Sequence, residues 1–290
     1  MASITDSGAA DKPAKAKGPL VYRQRLVTRI THWIWVICLF FLLLTGLNIF
    51  NARPQLYWGL ESGFAYDNTF FQIGSEDVDG KLKGYVQIFE WKIDTSGVLG
   101  TSGPEANPQR RAFPAWLTIP SNYNLATARV VHFFFGWVFL AVIFIWLVFS
   151  FFNGHLKRDV LVTPKDVAGL PKDIVDHATF KFHHTRRYSP LQKFAYFGVF
   201  FVLFPLIVLT GLTMSPGMNA AWPWLVEVFG GRQTARSIHF IVMVLLVLFF
   251  VVHIIMVLLA GPLNELRSMI TGRYRLSPGE PSEPGDKSNG

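Results

Sequence analysis

Four histidines occur within or at the ends of long apolar stretches of this sequence, where burying a polar side chain is energetically costly. His32, His132, His239 and His253 lie within or at the ends of such stretches. Ionisable residues at membrane depth are costly and usually mark a functional site. A single one could be a neutral imidazole bonded to a carbonyl of a neighbouring helix, but four at correlated depths favour a role as ligands.

The apolar stretches are long enough to cross a bilayer. A membrane helix needs about 20 apolar residues, and the runs without Asp, Glu, Lys or Arg are Ile30–Ala52, Val130–Leu156, Phe194–Val226 and Ser237–Asn264. Backbone polar groups in lipid must be satisfied internally, which predicts helices. The third run is too long for one helix, and we expect it to end near Gly211 and be followed by an interfacial turn.

The composition agrees with a membrane protein. Of the 290 residues 51% are apolar and only 16% charged, against about a quarter charged in a soluble domain. The single cysteine, Cys38, excludes an internal disulfide framework, a Cys-ligated iron–sulfur cluster, a Cys-rich zinc site and a covalent CxxCH haem site.

Positive charge predicts the orientation of the spans. Lys and Arg cluster before the first run, between the second and third, and after the fourth, at Lys12, Lys15, Lys17, Arg23, Arg25, Arg29, Lys157, Arg158, Lys165, Lys172, Lys181, Arg186, Arg187, Arg267, Arg273 and Arg275. Cytoplasmic flanks carry this excess, so both termini are predicted to be cytoplasmic. We expect a cytoplasmic tail over residues 1–20, a membrane domain over 21–275 that includes a periplasmic insert at 51–128, and a disordered cytoplasmic tail over 276–290.

This orientation places the histidines in two pairs. His239 and His253 are fourteen residues apart, which is about 21 Å along a helix and about 40° off a common face. The direction of each span then puts His32 level with His253 near the cytoplasmic face, and His132 level with His239 near the outer face. Imidazole suits iron, and two imidazoles from facing helices can hold a six-coordinate haem.

Two repeated motifs accompany these pairs. Arg29, Arg129 and Arg236 each stand three residues before a candidate ligand, on its face and one turn nearer water, where haem propionates would lie. Each could also simply extend to lipid headgroups. The tetrapeptide Leu-Thr-Gly-Leu occurs twice, with Gly46 and Gly211; a missing side chain there leaves room for a flat macrocycle, although close helix packing explains a membrane glycine equally well.

The four histidines and their spacing resemble those of di-haem cytochrome b subunits of respiratory complexes. This is the formate dehydrogenase gamma and nickel–iron hydrogenase b-type family, or bacterial cytochrome b561-like family, and the resemblance covers roughly residues 20–50 and 126–275. It implies two b-type haems, each held by two histidines, in an electron-transfer subunit of the respiratory chain in the bacterial inner membrane. It assigns the ligand roles to His32, His132, His239 and His253.

The same resemblance implies a quinone as substrate on the cytoplasmic side. The entry to the third span reads Tyr188-Ser189-Pro190-Leu191-Gln192-Lys193, similar to the family's Tyr-Asn-x-Gly-Gln-Lys pattern with Ser189 and Leu191 as departures. Tyr188 and Gln192 are the candidate quinone contacts. They could equally be an interfacial anchor and a polar residue at a helix N-terminus.

The residues between the first two spans exceed a minimal turn. Aromatic residues among Gly and Pro predict a small ordered cap with short strands or helices over the outer haem. We expect it to dock a periplasmic redox subunit, in the family's arrangement a catalytic one such as a molybdopterin oxidoreductase. The expected fold is therefore an all-α membrane protein, a four-helix bundle with a periplasmic cap between helices 1 and 2.

A non-redox function is the alternative. The chain could be a four-helix transporter or membrane anchor whose histidines bind metal ions or relay protons. Transporters tend to have broken helices and acidic residues at mid-bilayer, whereas these spans contain no carboxylate. The sequence therefore favours electron transfer.

Overall fold

The computed structural model describes residues 18–104, 107–154, 156, 160–179 and 189–276. Its helices are α1 (Leu26–Phe50), α2 (Leu125–Phe152), α3 (Pro164–Ala178), α4 (Pro190–Gly198), α5 (Phe204–Met214), α6 (Pro216–Ala221), α7 (Trp224–Val228), α8 (Arg232–Ala260) and α9 (Pro262–Thr271). A π-helical turn, Val199–Leu203, joins α4 to α5. Most of the predicted tails (residues 1–17 and 277–290) and the candidate quinone contact Tyr188 lie outside the described residues, whereas Leu20 lies in a strand and Leu276 is buried.

Four helices within the described residues are long and apolar enough to cross a membrane. They are α1, α2, the continuous stretch from α4 to α5, and α8, so the prediction of four membrane-crossing helices is confirmed. The third span ends at Met214, close to the predicted Gly211, because Ser215 is extended and Pro216 begins a separate short helix. The short helices α6 and α7 then lead to α8.

The spans form two helical hairpins. The helix α1 packs along α2, and α5 packs along α8. Between the hairpins lies an aromatic core in which Trp146 stacks on Phe200 with ring centres 4.2 Å apart, and Trp35 meets both Trp146 and Phe204 edge-on. This packing fixes the two hairpins against each other and excludes water from the centre of the bundle.

The residues between α1 and α2 form β-structure, so the all-α expectation is wrong for this part of the chain. The strands of the chain are β1 (Leu20–Tyr22), β2 (Gln55–Tyr57), β3 (Thr69–Val78), β4 (Lys81–Ile88), β5 (Trp91–Asp94), β6 (Thr101–Ser102), β7 (Gln109–Arg110) and β8 (Arg273–Arg275). An antiparallel sheet in the order β2-β3-β4-β5 dominates the insert. Two-residue turns join its last three strands, and Asp79-Gly80, with positive φ at both residues, is a strong hairpin signal.

The sheet covers one end of the bundle. Leu56 and Ile73 of the sheet are buried together with Leu47 and Phe50 at the end of α1. At the other end of the bundle, β1 pairs antiparallel with β8, with Leu20 opposite Arg275. The bundle therefore has an insert side and a terminus side, and the segments that flank its first and last helices meet on the terminus side.

Candidate metal centres

The structure brings the four histidines together as two pairs. The ring centres of His32 and His253 are 6.5 Å apart, and those of His132 and His239 are 6.4 Å apart. The former are termed the terminus-side pair and the latter the insert-side pair. Since α8 contributes to both, one helix links the two sites, as the fourteen-residue spacing predicts.

The separation within each pair suits a single metal ion. Ring nitrogens bind a metal at about 2 Å, which separates two opposed imidazole centres by roughly 6 Å. The rings of both pairs are tilted, by 56° and 59°. Two imidazoles on opposite sides of one iron leave its four remaining positions open, and a porphyrin supplies four nitrogens. The residues therefore fit a bis-histidine haem at each pair.

Each ring of the insert-side pair is held by a threonine of the other helix in its hairpin. The Thr45 hydroxyl lies 3.0 Å from Nδ1 of His132, and the Thr210 hydroxyl lies 3.1 Å from Nδ1 of His239. Both threonines are fully buried. The sequence analysis singled out the tetrapeptide that contains them but missed the threonines themselves.

The glycine that follows each threonine faces the same ring. A Cβ atom on Gly46 would lie 3.3 Å from Cε1 of His132, and one on Gly211 would lie 3.3 Å from Cε1 of His239. The space that each missing side chain leaves is therefore taken up by the imidazole. Room for a macrocycle beside the two glycines stays a prediction.

These contacts reveal an internal repeat. In each hairpin the first helix provides Leu-Thr-Gly-Leu and the second provides the histidine, with matching distances. The terminus-side pair does not follow this repeat. Nδ1 of His32 is buried and has no hydrogen-bond partner among the described residues, and the ring of His253 lies nearly parallel to Phe249, with centres 5.9 Å apart.

The three arginines predicted to face haem propionates have different surroundings. Arg29 donates to the carbonyl of Ile270 at the end of α9. Arg129 is exposed and lies over the ring of Phe133, 5.8 Å from its centre. Arg236 donates to the carbonyls of Gln55, at 2.8 Å, and Arg53. Binding of propionates by these side chains stays a prediction, and for Arg236 the structure adds a structural role.

The first turns of α8 anchor the insert. The Ser237 hydroxyl donates to the Tyr57 carbonyl at 2.7 Å, and the Gly59 amide donates to the Thr234 hydroxyl at 2.6 Å. Gly231 has φ of 117°, and a Cβ there would lie 2.5 Å from the Gly59 oxygen. The Ser237 contact lies within one turn of His239, and those of Thr234 and Gly231 lie roughly one to two turns further away. The position of the insert is therefore coupled to the helix that carries both sites.

Replacing Arg236 by Gln should loosen the insert. The substitution removes a charged donor from two backbone carbonyls, at a cost on the order of 2 kcal/mol. We expect faster trypsin cleavage in the insert and a lower melting temperature in detergent. Arg129→Gln is the matched control, because that arginine also precedes a histidine by three residues but is exposed. Equal cleavage rates in the two variants would contradict the anchoring role.

At the start of the third span, Gln192 takes part in a capping box. Its side-chain oxygen accepts from the Ser189 amide, and the Ser189 hydroxyl accepts from the Gln192 amide. The neighbouring Lys193 is paired with Asp166 of α3 at 3.1 Å, both side chains being 13% exposed. Burial raises the pKa of Asp166, but hydrogen bonds from Thr163 and the ammonium of Lys193 outweigh it, so the net shift is downward. Gln192 therefore has a structural role at a helix N-terminus, whatever else it contacts.

Four apolar spans that carry two pairs of facing imidazoles are typical of a membrane protein that binds metal. Residues 23–272 match the model of the prokaryotic cytochrome b561 family, and the chain belongs to that family. It is therefore a prokaryotic membrane cytochrome that binds b-type haem and transfers electrons, and the family resemblance drawn from the sequence is confirmed.

A curated relative spans most of the chain. The putative protein-methionine-sulfoxide reductase subunit YedZ1 of Azospira oryzae is 26% identical over 247 residues, which cover 84% of this chain and 93% of the relative. No solved structure matches the chain.

Proposed function

We propose that this protein is a di-haem b-type cytochrome that transfers electrons between a periplasmic redox partner and the membrane quinone pool. The observation that carries the proposal is the occurrence of two imidazole pairs, 6.4 and 6.5 Å between ring centres, at opposite ends of one bundle. One pair would serve a single redox group near one surface. Two pairs that share α8 would place two redox groups along a path across the membrane.

Each pair of histidines would hold one haem. His132 and His239 form the pair on the insert side, and His32 and His253 form the pair on the terminus side. A bound haem supplies one-electron chemistry at its iron, and the chain sets its potential through the axial ligands and the dry surround. Around the terminus-side pair, Phe249 and Trp33 pack against the imidazoles. The residues of this chain thus bind, orient and shield the redox groups, while substrate chemistry belongs to the partners.

We place the insert side in the periplasm. On the terminus side Arg23 and Arg25 precede α1, and Arg267, Arg273 and Arg275 follow α8, an excess of positive charge that is typical of cytoplasmic flanks. Both termini are then cytoplasmic, in the inner membrane of a bacterium. The insert faces the compartment where a periplasmic subunit can reach it.

The insert is the proposed docking site for the redox partner. It presents large exposed aromatic side chains, among them Phe64, Trp91 and Trp116, each more than three-quarters exposed. Its strand β2 is tied to α8 within a turn of His239, so a docked partner would lie close to the insert-side haem. The name of the Azospira relative, a reductase subunit, supports an oxidoreductase as the partner. The partner class that the family resemblance favours is a molybdopterin oxidoreductase.

The proposed quinone site lies at the entry to the third span, on the terminus side. Gln192 is partly buried there, and Tyr188 completes the pair of candidate contacts suggested by the family pattern. Electrons would pass between the quinone and the terminus-side haem, held by His32 and His253. Protons exchanged with the quinone would come from the side of the membrane that carries the basic flanks.

A haem count and a spectrum test the proposal. The purified protein should contain two b-type haems per chain by pyridine haemochrome assay, with two components in a potentiometric titration, and a quinol analogue should reduce them. One haem per chain would refute the di-haem assignment. Two haems that no quinol analogue reduces would refute the quinone step, and haem-free protein that binds metal ions would favour the transporter alternative.

A further inference from the structure

The repeated Thr-Gly pairs contact only the insert-side histidines. We propose that Thr45 and Thr210 are positioning residues that fix the tautomer and orientation of His132 and His239 and lower the reduction potential of the haem these histidines hold. The proposal rests on the di-haem function above. It assigns a role to two buried hydroxyl groups that ligand spacing alone does not reveal.

The hydrogen-bond geometry determines which atom donates. The Thr45 hydroxyl lies 2.5 Å from the carbonyl oxygen of Phe41, and the Thr210 hydroxyl lies 2.5 Å from that of Leu206. A carbonyl oxygen can only accept a hydrogen bond, so each threonine hydroxyl donates its single hydrogen to that carbonyl. The hydroxyl oxygen is then free to accept from Nδ1 of the imidazole, which also hydrogen-bonds the backbone of Leu42 (His132) or Ile207 (His239). This places the proton of each ring on Nδ1 and leaves Nε2 unprotonated, as a metal ligand requires.

The two halves of the bundle reproduce this arrangement closely. The Thr–Nδ1 distances are 3.0 and 3.1 Å, and a Cβ on either glycine would stand 3.3 Å from Cε1 and 3.7 Å from Nδ1 of the adjacent ring. Each imidazole is therefore fixed by a hydrogen bond at one atom and by van der Waals contact along one edge. Agreement between two unlinked segments indicates a functional constraint on the ring position.

The terminus-side pair provides an internal contrast. Thr31 stands directly beside His32, yet its hydroxyl bonds the carbonyls of Val27, at 2.9 Å, and Thr28, at 3.1 Å. Nδ1 of His32 is buried without a hydrogen-bond partner among the described residues. A buried threonine near a candidate ligand is therefore not enough by itself. Of these three buried threonines, Thr45 and Thr210 direct their oxygen at a ring nitrogen and Thr31 does not.

The expected effect on the reduction potential follows from the hydrogen bond that the ring donates from Nδ1. An imidazole whose Nδ1–H is engaged by an acceptor is a more basic ligand at Nε2. A more basic axial ligand stabilises ferric over ferrous iron, which lowers the reduction potential. The hydrogen bond also opposes rotation of the ring about its χ2 angle. The backbone of Leu42 also takes part in hydrogen bonding to His132, and that of Ile207 to His239. Loss of the threonine acceptor should therefore weaken rather than abolish the donation from Nδ1, raise the potential and broaden the range of ring orientations.

Isosteric Thr→Val variants test the proposal. With Thr45→Val or Thr210→Val, the midpoint potential of one haem should shift upward while that of the other is unchanged, and the g-values of the same ferric haem should move in the EPR spectrum. The double variant should shift it further. Thr45→Ser and Thr210→Ser keep the acceptor oxygen and should restore the wild-type potential.

The controls separate this role from general packing. Thr31→Val and Thr213→Val remove buried hydroxyls that bond only backbone carbonyls, and both should leave the two potentials unchanged. Loss of one haem in Thr45→Val that Thr45→Ser recovers would also support positioning. Unchanged potentials and g-values in both valine variants, or equal shifts of the two haems, would overturn it. Wild-type protein without two haem signals would refute the proposed function instead, before any variant is compared.

Discussion

The His239→Ala variant should retain one haem and lose the other. Among the four candidate ligands, His239 pairs with His132 and His253 pairs with His32. Each alanine variant should therefore remove a ligand of one proposed haem and leave the other site intact. The haem content should fall to about half, and one of the two components of the potentiometric titration should disappear. His253→Ala should remove the component that His239→Ala retains.

The partner histidines provide the matched comparison. His132→Ala should reproduce the spectrum of His239→Ala, and His32→Ala should reproduce that of His253→Ala. If His132→Ala and His239→Ala lost different components, the pairing itself would be wrong. If every alanine variant lost both haems and still carried the helical circular-dichroism signal of the wild type, the two sites would not be independent.

The Gly46→Val variant should weaken haem binding on the insert side. A Cβ at this position already stands 3.3 Å from Cε1 of His132, and the methyl groups of valine would press further on the ring. Overpacking a dense interior costs about 1–3 kcal/mol, and displacement of an axial ligand adds to that cost. We expect a roughly ten- to hundredfold loss of affinity for the insert-side haem, measured by haem transfer to apomyoglobin. Gly211→Val should act equally on His239.

Gly198→Val is the control for these variants. Gly198 also lies in a membrane span, but a Cβ there would have no atom within 4 Å outside its local backbone, so the insert-side haem should be retained. Retention of that haem with wild-type affinity in Gly46→Val would show that the ring can shift without loss of the ligand. The glycine would then have no role at the metal centre.

The sequence predicts the spans and the histidine pairs well, because both depend on local regularities. A long apolar run predicts a membrane helix directly. The known rise per residue of a helix then gives the difference in depth between His239 and His253 from their sequence interval. The direction of each span then follows from its position in the order of crossings, because successive spans run in opposite directions. Neither step requires knowledge of how side chains pack.

Tertiary contacts are where the sequence is insufficient. The motif around Arg236 predicts a propionate contact, which stays a prediction. What the motif does not reveal is that this guanidinium bonds the carbonyls of Arg53 and Gln55, since the insert folds back onto α8. The role of Thr45 depends on which ring a neighbouring helix brings to its hydroxyl. From the sequence we expect short strands or helices in the insert, without using Asp79-Gly80, a turn typical of hairpins, which joins β3 to β4 in the sheet.

The duplication of the Thr-Gly and histidine elements has a consequence for the origin of the bundle. Two copies of a single helical hairpin, related by a twofold axis, could assemble the insert-side centre from one short sequence. In such a symmetric assembly each hairpin would carry both histidines of the terminus-side pair or neither of them, because His32 lies on the first helix of its hairpin and His253 on the second. The assembly would then form two terminus-side centres or none. A single terminus-side centre therefore requires two hairpins that differ in sequence, as they do in this chain.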